Sequence, residues 1–77
     1  MLKAKNNNML TDRRQRVYVQ GTAIKWYSGI TSMTIRKFSR KDVANAAMAH
    51  LWSVAASSKN GITRSHVLRE INSIEEE

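Results

Sequence analysis

The sequence contains no cysteine, only three glycines and only six acidic residues among 77 positions. Without cysteine, neither a disulfide nor a thiolate-bound metal can support the fold. Two histidines and six acidic residues make a poor set of metal ligands, so we expect no metal site and no other cofactor. A single domain of this length has a small hydrophobic core. We therefore expect association, most simply as a homodimer, to add stability.

The sequence also lacks the combinations of residues that enzymes use for catalysis. The three glycines are single and well separated, which excludes a glycine-rich phosphate loop. His50 and His66 are distant in sequence, and we expect no acidic residue to orient either one. The sequence therefore predicts a protein that is not an enzyme.

Long apolar runs are absent as well. No segment approaches membrane-spanning length, and the first ten residues, MLKAKNNNML, lack the apolar core of a signal peptide. We expect no membrane partner and a cytoplasmic location, in a bacterial or phage-infected cell.

The positive charge of the chain lies almost entirely in its first half. Residues 1–41 contain ten Lys and Arg against one acidic residue, Asp12, whereas residues 42–77 contain three against five. This asymmetry predicts a polyanionic partner for the first half, and nucleic acid is the commonest one, with DNA placed ahead of RNA. A basic surface that is merely solvated, or that binds an acidic protein, is the alternative.

Residues 1–15 are polar and show no periodicity, which predicts a flexible basic arm before a single domain over 16–77. Arg13, Arg14 and Arg16 form a cluster where order should begin. Because guanidinium groups bind phosphate through two parallel hydrogen bonds, the arm could lie along a nucleic-acid backbone. The alternative is a solubilising tail.

Residues 16–38 are rich in β-branched and aromatic residues and predict two or three antiparallel strands. Gly21 marks either a tight turn or a bulge. Alternation places one set of side chains against a helix, namely Ile24, Trp26, Met33 and Ile35, and a second set on the outside, namely Lys25, Tyr27, Thr34 and Arg36. The outer set suits a nucleic-acid groove or unpaired bases, and an ordinary solvated face is the alternative.

A long helix over about 40–58 should follow, with Ser39 as its N-cap and Asp42 in a capping box. From Val43 to Ser58 it contains no charged residue. Helical spacing predicts a core stripe of Val43, Ala44, Ala47, Met48, Leu51, Val54 and Ala55, with Trp52 at its edge. The other side is small and polar, with Asn45, Ala46, Ala49, His50 and Ser53. We expect this side to contact a protein, although the second helix could also cover part of it.

Thr63 should cap a short C-terminal helix over about 63–75. Three glutamates end the chain, and they should either fold back on a basic face or, as the preferred interpretation, aid solubility. The fold class predicted is therefore α+β: a small antiparallel sheet packed on a long helix, with a short C-terminal helix.

The order of elements over 16–58, strands followed by a helix that begins FSRKDVANAA, resembles the three-stranded sheet and helix of integrase arm-binding and plant AP2-type domains. That resemblance implies DNA binding through the sheet. The glycine and aromatic signature of those domains is missing here. AHLWSVAASSKNGITRSHVLREI is similar to the first two helices of a helix-turn-helix module, but the chain has no recognition helix after it. No family is assigned.

The leading functional hypothesis is a non-enzymatic nucleic-acid-binding or regulatory protein. The cations expected to hold phosphates are Arg13, Arg14, Arg16, Lys25, Arg36, Lys37, Arg40 and Lys41, and Tyr18 and Tyr27 are expected to stack or to bind the backbone. The alternative is a small protein-interaction module, a phage-type inhibitor or adaptor of a host protein. It would dock through the uncharged helix face or the sheet edge.

Overall fold

The computed structural model describes residues 8–11, 15–58 and 61–76, and it confirms the α+β class. The elements in chain order are β1 (Met9–Leu10), β2 (Arg16–Gln20), β3 (Ala23–Tyr27), β4 (Ser32–Lys37), α1 (Lys41–Ala56) and α2 (Arg64–Asn72). The four strands form one sheet in the order β1-β2-β3-β4, and every neighbouring pair is antiparallel. Within the described ranges, neither helix is long and apolar enough to cross a membrane.

The first strand lies inside the range predicted to be a flexible arm. Met9 pairs with Val17 of β2 and is 1% exposed, so this part of the prediction is wrong. A two-residue strand is too short to show alternation in a sequence, and its stability comes from the buried Met9 side chain. The rest of the predicted arm, 1–7 and 12–14, lies outside the described residues.

Gly21 forms a tight turn rather than a bulge. Gln20 of β2 pairs with Ala23 of β3, which leaves Gly21 and Thr22 as a two-residue hairpin loop. Gly21 has a φ of 62°, which suits the hairpin turns that match the twist of the strands.

A register shift between β3 and β4 overturns one of the predicted side-chain directions, that of Arg36. Ile24 pairs with Arg36 and Lys25 pairs with Thr34, so Ile35 is an extra residue in β4, as in a β-bulge. Because paired residues share a face, Arg36 lies on the side of Ile24, toward the helices. Its predicted outward position is wrong. Met33 shares the face of Trp26 as predicted, but it is 48% exposed and therefore does not pack into the core.

The core fills the space between the inner face of the sheet and the two helices. Val17, Ile24 and Trp26 are buried on the sheet side. The predicted stripe of α1 is confirmed: Ala44, Ala47, Met48 and Leu51 are buried, and Val43, Trp52, Val54 and Ala55 are partly buried against them. The two buried alanines allow the helix to approach the sheet closely. From α2, Val67 and Ile71 complete the cluster.

The start of α1 differs from the predicted cap. Arg40 occupies the N-cap position without a side-chain hydrogen bond, and the Asp42 carboxylate accepts a bond from the Val43 N–H at 2.9 Å. Ser39 instead donates its backbone N–H and its hydroxyl to the carboxylate of Glu76. The acidic tail therefore folds back on its own chain, which is the interpretation not preferred from the sequence.

The start of α2 was predicted correctly. The Thr63 hydroxyl accepts a hydrogen bond from the His66 N–H at 3.3 Å and so caps the first turn.

Arg36 connects β4 to the end of α2. Its Nη1 donates to the carbonyl oxygens of Ile71 at 2.9 Å and Ile74 at 2.7 Å, and its guanidinium lies 4.6 Å from the centre of the Phe38 ring. Carbonyls at a helix C-terminus have no partners within the helix and carry partial negative charge. The guanidinium therefore supplies the donor for the Ile74 carbonyl, and it adds a charged donor to the Ile71 carbonyl, which also accepts the Ile74 N–H at 3.3 Å.

Arg36→Ala should lower the free energy of unfolding by about 2–3 kcal/mol, since it removes two charge-assisted hydrogen bonds and leaves the Ile74 carbonyl without its donor. Lys37→Ala, the exposed neighbouring cation, should change it by less than about 0.5 kcal/mol. Urea unfolding followed by circular dichroism measures both. Equal stabilities for the two variants would contradict this role of Arg36.

Ile71→Ala should cost about 2–5 kcal/mol, because it leaves a cavity in the fully buried cluster. Ile30→Ala removes the same atoms from a side chain that is 89% exposed, and it should be close to neutral. The same urea experiment compares them, and a small effect at Ile71 would show that α2 is not part of the core.

Candidate functional site

The surface of the sheet that faces away from the helices is called the outer face below. Register places its side chains in three rows across the strands. The first row is Leu10, Arg16, Tyr27 and Ser32; the second is Tyr18, Lys25 and Thr34; the third is Gln20, Ala23 and Lys37.

Three cations cross the outer face on a diagonal. The first is Arg16 in the first row on β2, the second is Lys25 in the second row on β3, and the third is Lys37 in the third row on β4. Diagonal neighbours in a sheet are about 7–8 Å apart at Cα, so long side chains can act on one extended ligand. The result is a continuous positive track over three strands.

No carboxylate neutralises this track within the described part of the chain. The described acidic residues are Asp42, Glu70, Glu75 and Glu76, and all of them lie on the helices or the C-terminal segment. Arg16, Lys25 and Lys37 form no ion pair among the residues that the structure describes, where the pairs are Arg40 with Asp42 and His50 with Glu70. The outer face therefore carries positive potential available to a ligand.

Two tyrosines complete a block of four side chains with these cations. Tyr27 is opposite Arg16, and Tyr18 is opposite Lys25, so aromatic and basic side chains alternate. The Tyr18 hydroxyl donates to the Ser32 hydroxyl at 3.0 Å, and the Tyr27 hydroxyl donates to the Gly29 carbonyl at 3.1 Å. Both rings are thus held in place while Tyr27 stays 39% exposed.

An open depression of about 270 Å³ lies at this end of the outer face. It is lined by Asn8, Arg16, Tyr18 and Tyr27 and is called the tyrosine depression below. It offers an amide, a guanidinium and two aromatic rings, a combination that suits planar ligands with polar edges.

The structure brings together five of the residues predicted to bind nucleic acid and separates the others from them. Arg16, Tyr18, Lys25, Tyr27 and Lys37 share the outer face. Those that lie elsewhere are Arg36, which contacts α2, and Arg40 and Lys41, which are exposed at the start of α1. Arg40 lies 3.4 Å from Asp42 in an exposed pair. Arg13 and Arg14 lie outside the described residues.

Two exposed apolar side chains near the tyrosines were missed from the sequence. Leu10 is 56% exposed in the first row, and Ile30 is 89% exposed in the loop after Tyr27. An isoleucine beside Gly29 in a turn is the one sequence signal that could have indicated Ile30, because turns usually carry polar residues.

The predicted protein-contact side of α1 is exposed. Asn45, Ala46, Ala49, His50 and Ser53 are all exposed, so α2 does not cover this side as a whole. His50 alone among these five bonds to α2: its Nε2 lies 2.7 Å from Oε1 of Glu70. An open groove of about 670 Å³ lies between the helices beside this pair.

The Glu70 contact corrects the statement that no acidic residue orients either histidine. The two residues are far apart in sequence and meet only because α2 packs against α1. Their hydrogen bond lowers the pKa of Glu70, and electrostatic attraction from neighbouring basic side chains, Arg69 among them, acts in the same direction. Among the residues described, no group of three or more His, Asp or Glu side chains could hold a metal ion.

The pKa of Glu76 is also lowered, first by the Ser39 hydroxyl and then by the Ser39 backbone N–H, with Arg36 and Arg40 adding attraction. A carboxyl group whose pKa is lower in the folded state stabilises the fold fully above its unfolded pKa. That contribution is lost as the pH falls through the folded-state value.

No family model matches this sequence, no curated protein matches it, and no solved structure matches its fold significantly. A function can therefore be inferred only from the geometry and charge of the chain itself.

The stability of the protein should fall as the pH drops below about 4.5, the ordinary pKa of glutamate, and part of this loss should come from Glu76. Glu76→Gln should make the loss of stability at acid pH smaller, because glutamine does not titrate. Glu75→Gln, at the exposed neighbouring residue, removes the same negative charge and is the matched control. Urea unfolding at a series of pH values tests this. The same dependence of the free energy of unfolding on pH below about 4.5 in all three proteins would contradict it.

Proposed function

We propose that the protein is a non-enzymatic nucleic-acid-binding protein and that the outer face of its sheet holds the phosphate backbone. One observation carries the proposal: three cations and two tyrosines share this face, and every described carboxylate lies elsewhere. A regulatory role is part of the same hypothesis.

The diagonal track supports a backbone ligand rather than a compact anion. A single phosphate group would need donors that converge on one point, whereas Arg16, Lys25 and Lys37 are spread over three strands. Successive cations along a line match the repeated charges of a nucleic acid. Arg16 can bind a phosphate through two hydrogen bonds, and the lysines act as point charges.

The alternative function is a small protein-interaction module that docks through the outer side of α1. The observation that favours it is the exposure of an uncharged stretch of helix, with Ala46, Ala49 and Ser53 on its surface. Small side chains allow the backbone of another chain to approach closely. A homodimer through this side is compatible with nucleic-acid binding, because it leaves the outer face of the sheet open.

The test of the proposal is fluorescence anisotropy with labelled duplex and single strands, as DNA and as RNA, at about 50 and 200 mM salt. Binding should be tight at low salt and should weaken steeply at the higher salt concentration. Lys25→Ala should weaken it and should reduce the salt dependence by about one phosphate contact. Circular dichroism confirms that each variant is folded.

Arg69→Ala is the matched control. It removes one exposed positive charge from α2, in the layer behind the sheet, so binding should stay close to wild type. Equal losses in the two variants would show a diffuse effect of net charge and would reject the outer face as the site. An absence of binding even at low salt would reject nucleic acid as the partner and would favour the α1 side.

A further inference from the structure

We infer that the tyrosine depression accepts an unpaired nucleobase, so that the protein prefers single-stranded nucleic acid to a duplex. This inference rests on the proposed function and deepens it: the diagonal track holds phosphates, and the depression takes a base of the same strand. Three features of the outer face lead to it, namely its width, its exposed apolar side chains and the fixed positions of its rings.

The first row is too wide to enter a groove of B-form DNA. It spans all four strands, from Leu10 of β1 to Ser32 of β4. At about 4.8 Å between neighbouring strands, the outermost backbones are about 14 Å apart. The major groove is about 12 Å wide and the minor groove about 6 Å. Tyr27, which lies in this row, therefore cannot reach paired bases inside an unaltered duplex, whereas a single strand can bring its bases to it.

Exposed apolar surface is concentrated at this end of the sheet. Leu10, Tyr27 and Ile30 are 56%, 39% and 89% exposed, and among the described residues the remaining large exposed apolar side chain, Met33, lies on the opposite face. A surface that binds phosphates alone needs cations only. Apolar and aromatic side chains beside cations are suited to bases, whose flat faces are uncovered only in a single strand.

The tyrosine rings are held before any ligand arrives. Their hydroxyls donate to Ser32 and Gly29, and these exposed hydrogen bonds favour one ring position and reduce the conformational entropy lost on binding. Arg16 lies beside Tyr27 in the same row and can hold the adjacent phosphate or stack on the base. Asn8 supplies both a donor and an acceptor for a base edge.

The experiment compares three labelled ligands of equal length at one salt concentration: a thymidine single strand, an abasic single strand and a duplex. The abasic strand keeps the phosphate charges and removes every base. Wild-type protein should bind the thymidine strand at least about 5-fold more tightly than the abasic strand, since stacking on an aromatic side chain contributes about 1–3 kcal/mol per base. A uridine RNA strand in parallel shows which sugar is preferred.

Tyr27→Ala should reduce affinity for the thymidine strand by about 5- to 150-fold and should leave affinity for the abasic strand unchanged. Tyr27→Phe is the matched variant, because it keeps the ring and removes only the hydroxyl, and it should retain most of the affinity. Equal affinity of the wild type for the thymidine and abasic strands would overturn the inference, as would duplex binding as tight as that of the thymidine strand.

Failure of this inference can be told from failure of the proposed function. If Lys25→Ala weakens binding to all three ligands while Tyr27→Ala weakens none, the outer face binds phosphate and the depression takes no base. If wild-type protein binds none of the ligands, both proposals fall together.

Discussion

One extra residue in β4 decides what each face of the sheet presents. Without the shift at Ile35, the pairing of Lys25 with Thr34 would continue regularly and place Ile35 opposite Ile24 and Arg36 opposite Ala23. Arg36 would then join the outer face, and Lys37 would turn toward the helices. The shift instead sends Arg36 to the carbonyls of α2 and Lys37 to the outer face. The core and the candidate surface both depend on it.

The two uses of positive charge in this chain follow from that register. Arg36 has a structural role, since its guanidinium donates hydrogen bonds to carbonyl oxygens at the C-terminal end of α2 and just after it. This helix has nine residues and is too short to be stable alone. The burial of Val67 and Ile71 supplies the rest of the stability of that helix. Arg16, Lys25 and Lys37 contribute to neither the core nor an ion pair in the described structure, so their charges are concentrated on one exposed face.

The features that the sequence predicted correctly are those set by residues close together in the chain. The stripe of α1, the Thr63 cap and the burial of Ile24 and Trp26 all follow from local periodicity or local hydrogen bonding. The features it missed depend on distant pairing. The sequence around Ile35 and Arg36 is compatible with a regular register and with a shifted one, so it does not show which side of the sheet each residue faces. The two residues of β1 are too few to show a periodic pattern. Ser39 and His50 bond to acidic residues that are distant in sequence and come close only in the folded chain. The outward positions of Lys25, Tyr27 and Thr34 could therefore be predicted from the sequence. The position of Lys37 in place of Arg36 on the outer face depends on the bulge and could not.

The two candidate surfaces lie on opposite sides of the molecule, which bears on how they would act together. The stripe of α1 packs against the inner face of the sheet, so its small-residue side points away from the outer face. A second chain bound there would not compete with nucleic acid on the sheet. In a homodimer joined through α1, the two outer faces would point in opposite directions. Such a dimer would bridge two strands, or two parts of one strand, instead of lengthening a single binding track.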